Sequence, residues 1–414
     1  MNQNKTKVQR QLLKSWADHG FKGYIEAVTG IGKTRIGVIA AGEFIRRDPN
    51  ETSLVVTPTI PLRDDEWHKE FVKWGYEDVV DKVEFQCIQG VYKQTGRHWD
   101  TLVVDEADTC LGDKYSEFFK NNTFNRILCL SACYDKKDVA NLQSLGIPLV
   151  GKIDYEEALK YNLITPFKIY NVRLQLNPEQ NLAYYELDKK INLLVSDLCI
   201  LLNAKASTVF TEIDKFKTAY ERNCIARTEQ AVSVYNKVAA LFTLYNNRKS
   251  FLSHGNHRIS DTLLICLRIP EKVLVFCGSI AMASKLASRL SKVRKTFLYH
   301  SKMPEEVRRQ SLEQFKESSD GILVSINALN RGINVPDCNF GVICSASSSE
   351  HDFIQRLGRE VRLSTDPNKV AILIQPFYAG TQEEKWLRKR IGSLETTDIT
   401  KDDLFKLLAA YKTN

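Results

Sequence analysis

The sequence predicts an α/β protein built from two open parallel sheets in tandem, with a helical insertion or linker between them. Three features carry that prediction. Within residues 1–165, short apolar runs alternate with helix-patterned stretches, and polar motifs fall where the runs end. The alternation returns in residues 266–380. Between these halves, residues 166–265 are almost free of glycine and show long helical periodicity. Residues 381–414 are expected to add a C-terminal helical extension.

In the first half, Gln9 to His19 sets Leu12, Leu13 and Trp16 at helical spacing. Gly23 to Ile25 reads as a strand, and Arg35 to Ala41 as a helix. Ser53 to Thr57 is a buried parallel strand stopped by Pro58. Trp67 to Trp74 is helical, and Val83 to Ile88 is a strand. Trp99 to Val104 is apolar and gives way abruptly to Asp105-Glu106-Ala107-Asp108; Arg126 to Leu130 is a further strand, followed by Ser131-Ala132. In the middle segment, Leu174 to Asp197 and Thr211 to Tyr245 read as long helices, and the densest basic signal runs from Asn246 to Arg258. The second half offers strands at Lys272 to Cys277, Lys295 to Tyr299, Gly321 to Ser325, Phe340 to Cys344 and Val370 to Ile374. Helices are expected at Ser284 to Leu290, from Pro304 to Phe315 with Pro304 in the first turn, and at Phe353 to Arg362. At the C-terminus, Trp386 and Leu387 should face inward, with Lys385, Arg388, Lys389 and Arg390 in solvent.

Composition narrows the class. A chain of 414 residues suits two or three domains, and a hydrophobic fraction of 43% supports sizeable cores. No apolar run is long enough to span a bilayer, and the polar start, Met1 to Lys5, lacks the apolar centre of a signal peptide. The ten cysteines form no Cys-x-x-Cys pair, and Cys129, Cys266 and Cys344 sit inside apolar runs. They read as buried reduced thiols of a cytoplasmic protein rather than a disulfide framework or zinc site. The formal charge of +8 permits a polyanionic partner without requiring one.

The chemistry begins at Ala27 to Thr34, between the first strand and its helix. Glycines let a turn wrap closely around an oxyanion, and amides at a helix start point at it. Thr29, Gly30, Ile31 and Gly32 would form the cradle, Lys33 would reach the β- and γ-phosphates, and the Thr34 hydroxyl would ligate Mg²⁺. Ala27 stands where the usual pattern has glycine. About 70 residues later, Asp105 and Glu106 end a strand expected in the same sheet. One carboxylate there can hold Mg²⁺, and its neighbour can deprotonate the attacking water. Far along the chain, Arg359 and Arg362 share a helical face and carry the side chain suited to a transferring phosphoryl group. They can act with Lys33 only if the second half docks on the first, so that ATP closes the cleft and hydrolysis releases it.

Taken in order, these motifs resemble those of the superfamily 2 helicases and translocases, which contain two RecA-like domains. Gln9, seven residues before Trp16, resembles the adenine-reading glutamine. Ala27 to Thr34 resembles motif I, and Thr57-Pro58-Thr59 followed by Trp67 resembles motif Ia. Cys87-Ile88-Gln89-Gly90 weakly resembles motif Ib, Asp105 to Asp108 spells motif II, and Ser131-Ala132-Cys133 is similar to motif III with cysteine replacing threonine. Val275 to Ser279 and Tyr299 to Lys302 resemble the start of the second domain; Ala328 to Pro336 resembles motif V, and Gln355 to Arg362 motif VI. Ile326 and Asn334 depart from the usual threonine and aspartate of motif V.

The resemblance implies an ATP- and Mg²⁺-dependent motor on nucleic acid, with Gly332 and Asn334 near the nucleotide. It implies strand contacts from Thr59, Arg63, Gln89, Ser279, Lys302 and Asn327, mostly to phosphates. Tyr155 to Pro166 is similar to the link after the first domain in restriction, repair and phage-recombination translocases, which favours DNA. An RNA helicase of the same mechanism and an ATP-gated clamp without processive unwinding remain alternatives. A monomer is the expected state, in the cytoplasm, or in that of the host if the chain is phage-encoded.

Overall fold

A computed structural model describes residues 3–60, 63, 66–326, 338–344, 369–392 and 394–411. The first half forms a sheet of six parallel strands: β1 (Lys22–Ala27), β2 (Ser53–Thr57), β3 (Val83–Cys87), β4 (His98–Asp105), β5 (Thr123–Ser131) and β6 (Leu149–Ile153), in the order β3-β2-β4-β5-β1-β6. Its helices are α1 (Gln3–Asp18), α2 (Lys33–Arg47), α3 (Trp67–Lys73), α4 (Ile88–Val91), α5 (Asp113–Asn121), α6 (Lys136–Ser144) and α7 (Tyr155–Lys160). The sheet is covered on both faces, as parallel sheets are. One face packs on α1 and α2 through Leu12, Trp16, Ile36 and Ile45, with Trp67 and Phe71 of α3. The other packs around Trp99, Phe118 and Leu142. Cys129 is fully buried, and burial holds its thiol well above its ordinary pKa.

The second sheet has seven parallel strands: β7 (Phe167–Leu174), β8 (Val273–Cys277), β9 (Thr296–Tyr299), β10 (Ile322–Ile326), β11 (Phe340–Ile343), β12 (Ala371–Tyr378) and β13 (Thr397–Thr400), in the order β13-β7-β12-β11-β8-β10-β9. It reaches further in both directions than the sequence predicts. β7 lies in residues 166–265, read above as a helical insertion or linker, yet it pairs with β12 along its whole length. β13 lies in the expected helical extension and pairs with the other side of β7. The interrupted pattern Phe167-Lys168-Ile169-Tyr170-Asn171-Val172 disguised β7, because Asn171 is buried as a polar ligand of its neighbours. Its amide donates to Thr396 Oγ1 and Asp398 Oδ1, both at 2.9 Å, and so sets the position of β13.

The helical insertion is accordingly narrower and sits within the second half. It comprises α8 (Pro178–Leu201), α9 (Val209–Glu221) and α10 (Glu229–His254); α11 (Asn256–Arg268) already packs on the second sheet through Ile259 and Ile265. The expected helix from Thr211 to Tyr245 is broken, with Asn223 in the left-handed region at φ 56°. Lys237 pairs with Asp197 and Arg248 with Asp188, so α8 and α10 run antiparallel. Their seam, Ile191, Leu198, Val234, Val238 and Leu241, forms with Val209 and Ile213 a small core separate from either sheet. The remaining helices among the described residues are α12 (Ile280–Leu290), α13 (Glu305–Glu317), α14 (Gln382–Ile391) and α15 (Lys401–Tyr411). Pro304 is the residue before α13 rather than in its first turn. The expected helix at Phe353 to Arg362 lies outside the described residues.

Three arginines depart from expectation. Arg248, in the basic stretch, is buried against Asp188. Arg258, at its end, is fully buried: it pairs with Glu383, donates to Leu252 O (3.2 Å) and Pro376 O (2.9 Å), and lies 4.4 Å from the Tyr378 ring centroid. This basic signal therefore ties the foot of the insertion to β12 and α14. Arg390 was expected in solvent but is buried, donating to Gln375 Oε1 at 3.0 Å. It stands three residues after buried Leu387 and so shares its inward face. Removing one partner of a buried pair leaves an uncompensated charge. Arg258→Met should therefore cost about 3–5 kcal/mol in the second domain, read from urea denaturation followed by far-ultraviolet dichroism.

Candidate active site and nucleic-acid interface

Parallel pairing brings the polar motifs of the first half to one sheet edge. β5 lies between β1 and β4, with Glu26 beside Ser131 and Asp105 beside Leu130. The ends of β1 and β4 are thus two strand spacings apart, roughly 10 Å, with the phosphate-loop turn leaving one and the acidic pair the other.

The turn after β1 is held in a special conformation. Gly30 (φ 99°) and Gly32 (φ 88°) both occupy the left-handed region. A Cβ on Gly32 would also collide with the Gln9 amide nitrogen. Gln9, buried on α1, donates to Ile31 O at 2.7 Å and accepts from Arg35 Nη1 at 2.8 Å. Arg35 donates as well to Thr6 Oγ1 (3.0 Å) and stacks 4.4 Å over Trp74. Lys33, the first residue of α2, is buried, and its ammonium donates to Ala27 O at 2.8 Å. Thr29 and Thr34 are half-buried on either side of the glycines.

Asp105 is buried at the end of β4, and each carboxylate oxygen has a donor. The Glu106 amide reaches Oδ1 and the Trp67 indole reaches Oδ2, both at 3.1 Å. Burial pushes its pKa up to about 7, with Glu106 adding and Lys33 and Trp67 opposing. Glu106 lies in the left-handed region at φ 46°, a conformation costing an ordinary residue on the order of 1–3 kcal/mol. Its Oε2 is buried without a partner among the described residues. A buried orphan oxygen beside a second carboxylate is a donor set that suits a hard cation or its water. Ser131 Oγ donates to Asp108 Oδ1 at 2.6 Å, joining the turn after β4 to the end of β5. Beyond Cys133, Tyr134 is enclosed, and its hydroxyl has no partner among the described residues.

Sequence reasoning noted Trp67 but missed its bond to Asp105. The available signal was Gly37, a mid-helix glycine that costs about 1 kcal/mol relative to alanine and so calls for a packing reason. Its missing Cβ would stand 2.5 Å from the Trp67 ring.

The strand-contact candidates fall on the same edges. Thr59 follows β2, and Gln89 on α4 follows β3; Gln89 Nε2 donates to Pro58 O at 3.2 Å, which brings the two together. The Arg63 amide donates to Thr59 O at 3.2 Å. In the second half, Ser279 follows β8 and caps α12 by accepting from the Met282 amide at 3.2 Å. Lys302 follows β9 and is exposed. Asn327, Gly332, Asn334, Arg359 and Arg362 lie outside the described residues.

Known proteins give an independent comparison. Residues 1–136 match the family model "Type III restriction enzyme, res subunit", and residues 256–364 match "Helicase conserved C-terminal domain". The DNA 3'-5' translocase XPB2 of Sulfurisphaera tokodaii is 23% identical over 406 residues, covering 92% of this chain and 83% of that protein. The chain belongs to the superfamily 2 helicases and translocases. The ATP-dependent RNA helicase dbp8 of Sclerotinia sclerotiorum is 29% identical, but over only 36% of this chain and 29% of its own length. Among solved structures, S. cerevisiae Dbp5 bound to RNA and ADP BeF3 superposes with a TM-score of 0.55 at 13% identity, covering 97% of this chain and 96% of that one. The Pyrococcus furiosus Hef helicase domain gives 0.51 at 16% identity, covering 94% and 99%. At these identities the structural likeness concerns fold: two RecA-like domains in tandem.

A superfamily 2 helicase hydrolyses ATP, and the left-handed turn of this one can be tested directly. Gly32→Ala puts a side chain where φ is 88° and Gln9 already stands. It should weaken binding of a fluorescent ATP analogue at least tenfold, while shifting the thermal midpoint by only a few degrees (about 1–2 kcal/mol of strain).

Proposed function

We propose that the protein is an ATP-driven translocase or helicase on DNA. The observation that carries the choice of DNA is the breadth of one match: the relative named as a DNA translocase aligns with 92% of this chain, whereas dbp8 aligns with 36%. RNA is the second reading, favoured by the higher local identity of dbp8, 29% against 23%.

In this reading the amides around Gly30 and Gly32 cradle the phosphates of ATP, and Lys33 leaves Ala27 O to meet the β- and γ-oxygens. Gln9, already tied to the turn, reads the adenine. Thr34 and Asp105 hold Mg²⁺, which neutralises charge on the phosphates when bound. Glu106 orients the attacking water and takes its proton; its orphan oxygen supports that role. Arg359 and Arg362 complete the site from the second domain, with Gly332 and Asn334 beside the nucleotide. The nucleic-acid strand crosses both sheet edges over Thr59, Arg63, Gln89, Ser279, Asn327 and Lys302, with contacts chiefly to phosphates.

Turnover should be stimulated by single-stranded, duplex or forked DNA more than by RNA of equal length. Stimulation by RNA alone would overturn the DNA reading, and turnover without displacement of a strand would favour an ATP-gated clamp. Glu106→Gln should abolish turnover while leaving ATP binding intact, because it removes the base and not the phosphate cradle. In a single-turnover assay, Arg362→Ala should lose about 10³ or more in rate if that residue stabilises the transferring phosphoryl group.

A further inference from the structure

The Trp67 indole occupies a junction that the proposed mechanism leaves unused. It is fully buried at the first residue of α3. Its ring presses on α2 where Gly37 makes room, beside Leu130 and Val103 of the central strands. Its Nε1–H donates to Asp105 Oδ2. One side chain thus touches the phosphate-loop helix, the acidic strand and the helix that follows β2. An indole has a single donor and no acceptor, so in this dry setting its orientation follows the carboxylate.

We propose that Trp67 is a positioning residue: its indole N–H fixes the Asp105 carboxylate for the metal. The inference rests on Asp105 as a metal-holding residue and adds what aims it. Carboxylates that ligate metals are held by outer partners whose loss weakens metal affinity about ten- to hundredfold. Here the outer partner is the first residue of α3, and its ring also packs on the phosphate-loop helix at Gly37.

The test uses the full chain with Trp67→Phe, and a second variant carrying β-(3-benzothienyl)alanine at position 67, which keeps the bicyclic outline and lacks the N–H. Affinity for Mn²⁺ in the presence of ADP is read by electron paramagnetic resonance; kcat and KM for ATP are measured with and without DNA. Both variants should lose about tenfold in Mn²⁺ affinity and about tenfold in the DNA-stimulated kcat, with KM for ATP and the Kd for DNA within twofold of wild type. Wild-type metal affinity and stimulation in the benzothienyl variant would overturn the proposal, leaving Trp67 a packing residue whatever Trp67→Phe does. Asp105→Asn separates the two layers. If it binds Mn²⁺ like wild type, the metal assignment falls and the tether with it; if it loses Mn²⁺ while both Trp67 variants keep it, only the tether falls.

Discussion

The parallel register of β1, β5 and β4 is the constraint on which the site depends. Because all three strands run the same way, the turn after Ala27, the Asp105-Glu106 pair and Ser131 leave the sheet at one edge. Antiparallel pairing would send neighbouring strands out at opposite edges and separate the phosphate loop from the carboxylates. The register is held by strands buried on both faces: Val103 and Leu128 face the side of α2, while Leu102, Val104 and Cys129 face the other. A one-residue slip would exchange these sets and displace Asp105 by a residue length, about 3.3 Å. Core packing and catalytic geometry are therefore set by the same contacts.

Buried charge stands in both halves. In the second domain, Arg258 and Arg390 are buried and their bonds join β12, α11 and α14, while Gln375 Nε2 carries the link on to Asn171 Oδ1 of β7 at 3.3 Å. The insertion rises from these elements on α8 and α10, steadied at its foot by Tyr184, whose hydroxyl accepts from the Gln382 amide at 2.8 Å. The insertion has its own small core beyond that foot. In the first domain, Glu106 Oε2 is buried without a partner among the described residues, at the edge where the polar motifs meet; in the second half, Glu383 Oε1 and Arg248 Nε lack one too, although both side chains stand in ion pairs.

What was legible in the sequence follows from how local each signal is. The phosphate loop, the strands before and after it, and the acidic end of β4 are specified by contiguous residues. So are β8, β10 and β12, whose mainly apolar runs mark strands covered on both faces. β7 and β13 were not legible, because a lysine and an asparagine interrupt one and the other is a four-residue edge strand with little apolar character. Burial of Arg248, Arg258 and Arg390 was hidden for another reason: their counter-charges and acceptors lie up to 125 residues away, and a charge read alone suggests solvent. The Trp67 tether is likewise a contact between residues 38 apart, with Gly37 as its only local trace.

Glu106 shows why such a site is stable enough to persist. A left-handed backbone and an unpaired buried oxygen both disfavour this turn. Neither relaxes, because Asp105 before it is fixed by β5 and Trp67, while Thr109 after it donates to Glu106 O through both its amide (3.0 Å) and its hydroxyl (2.9 Å). The Ser131 to Asp108 bond closes the turn against the next strand. The surrounding fold thus over-determines a conformation that the turn alone would leave, and the cost is set against the folding of the whole sheet. A ligand that supplies a cation or water to the orphan oxygen then recovers part of that cost on binding. An acidic pair held ready in this way has little reorganisation left when a cation arrives.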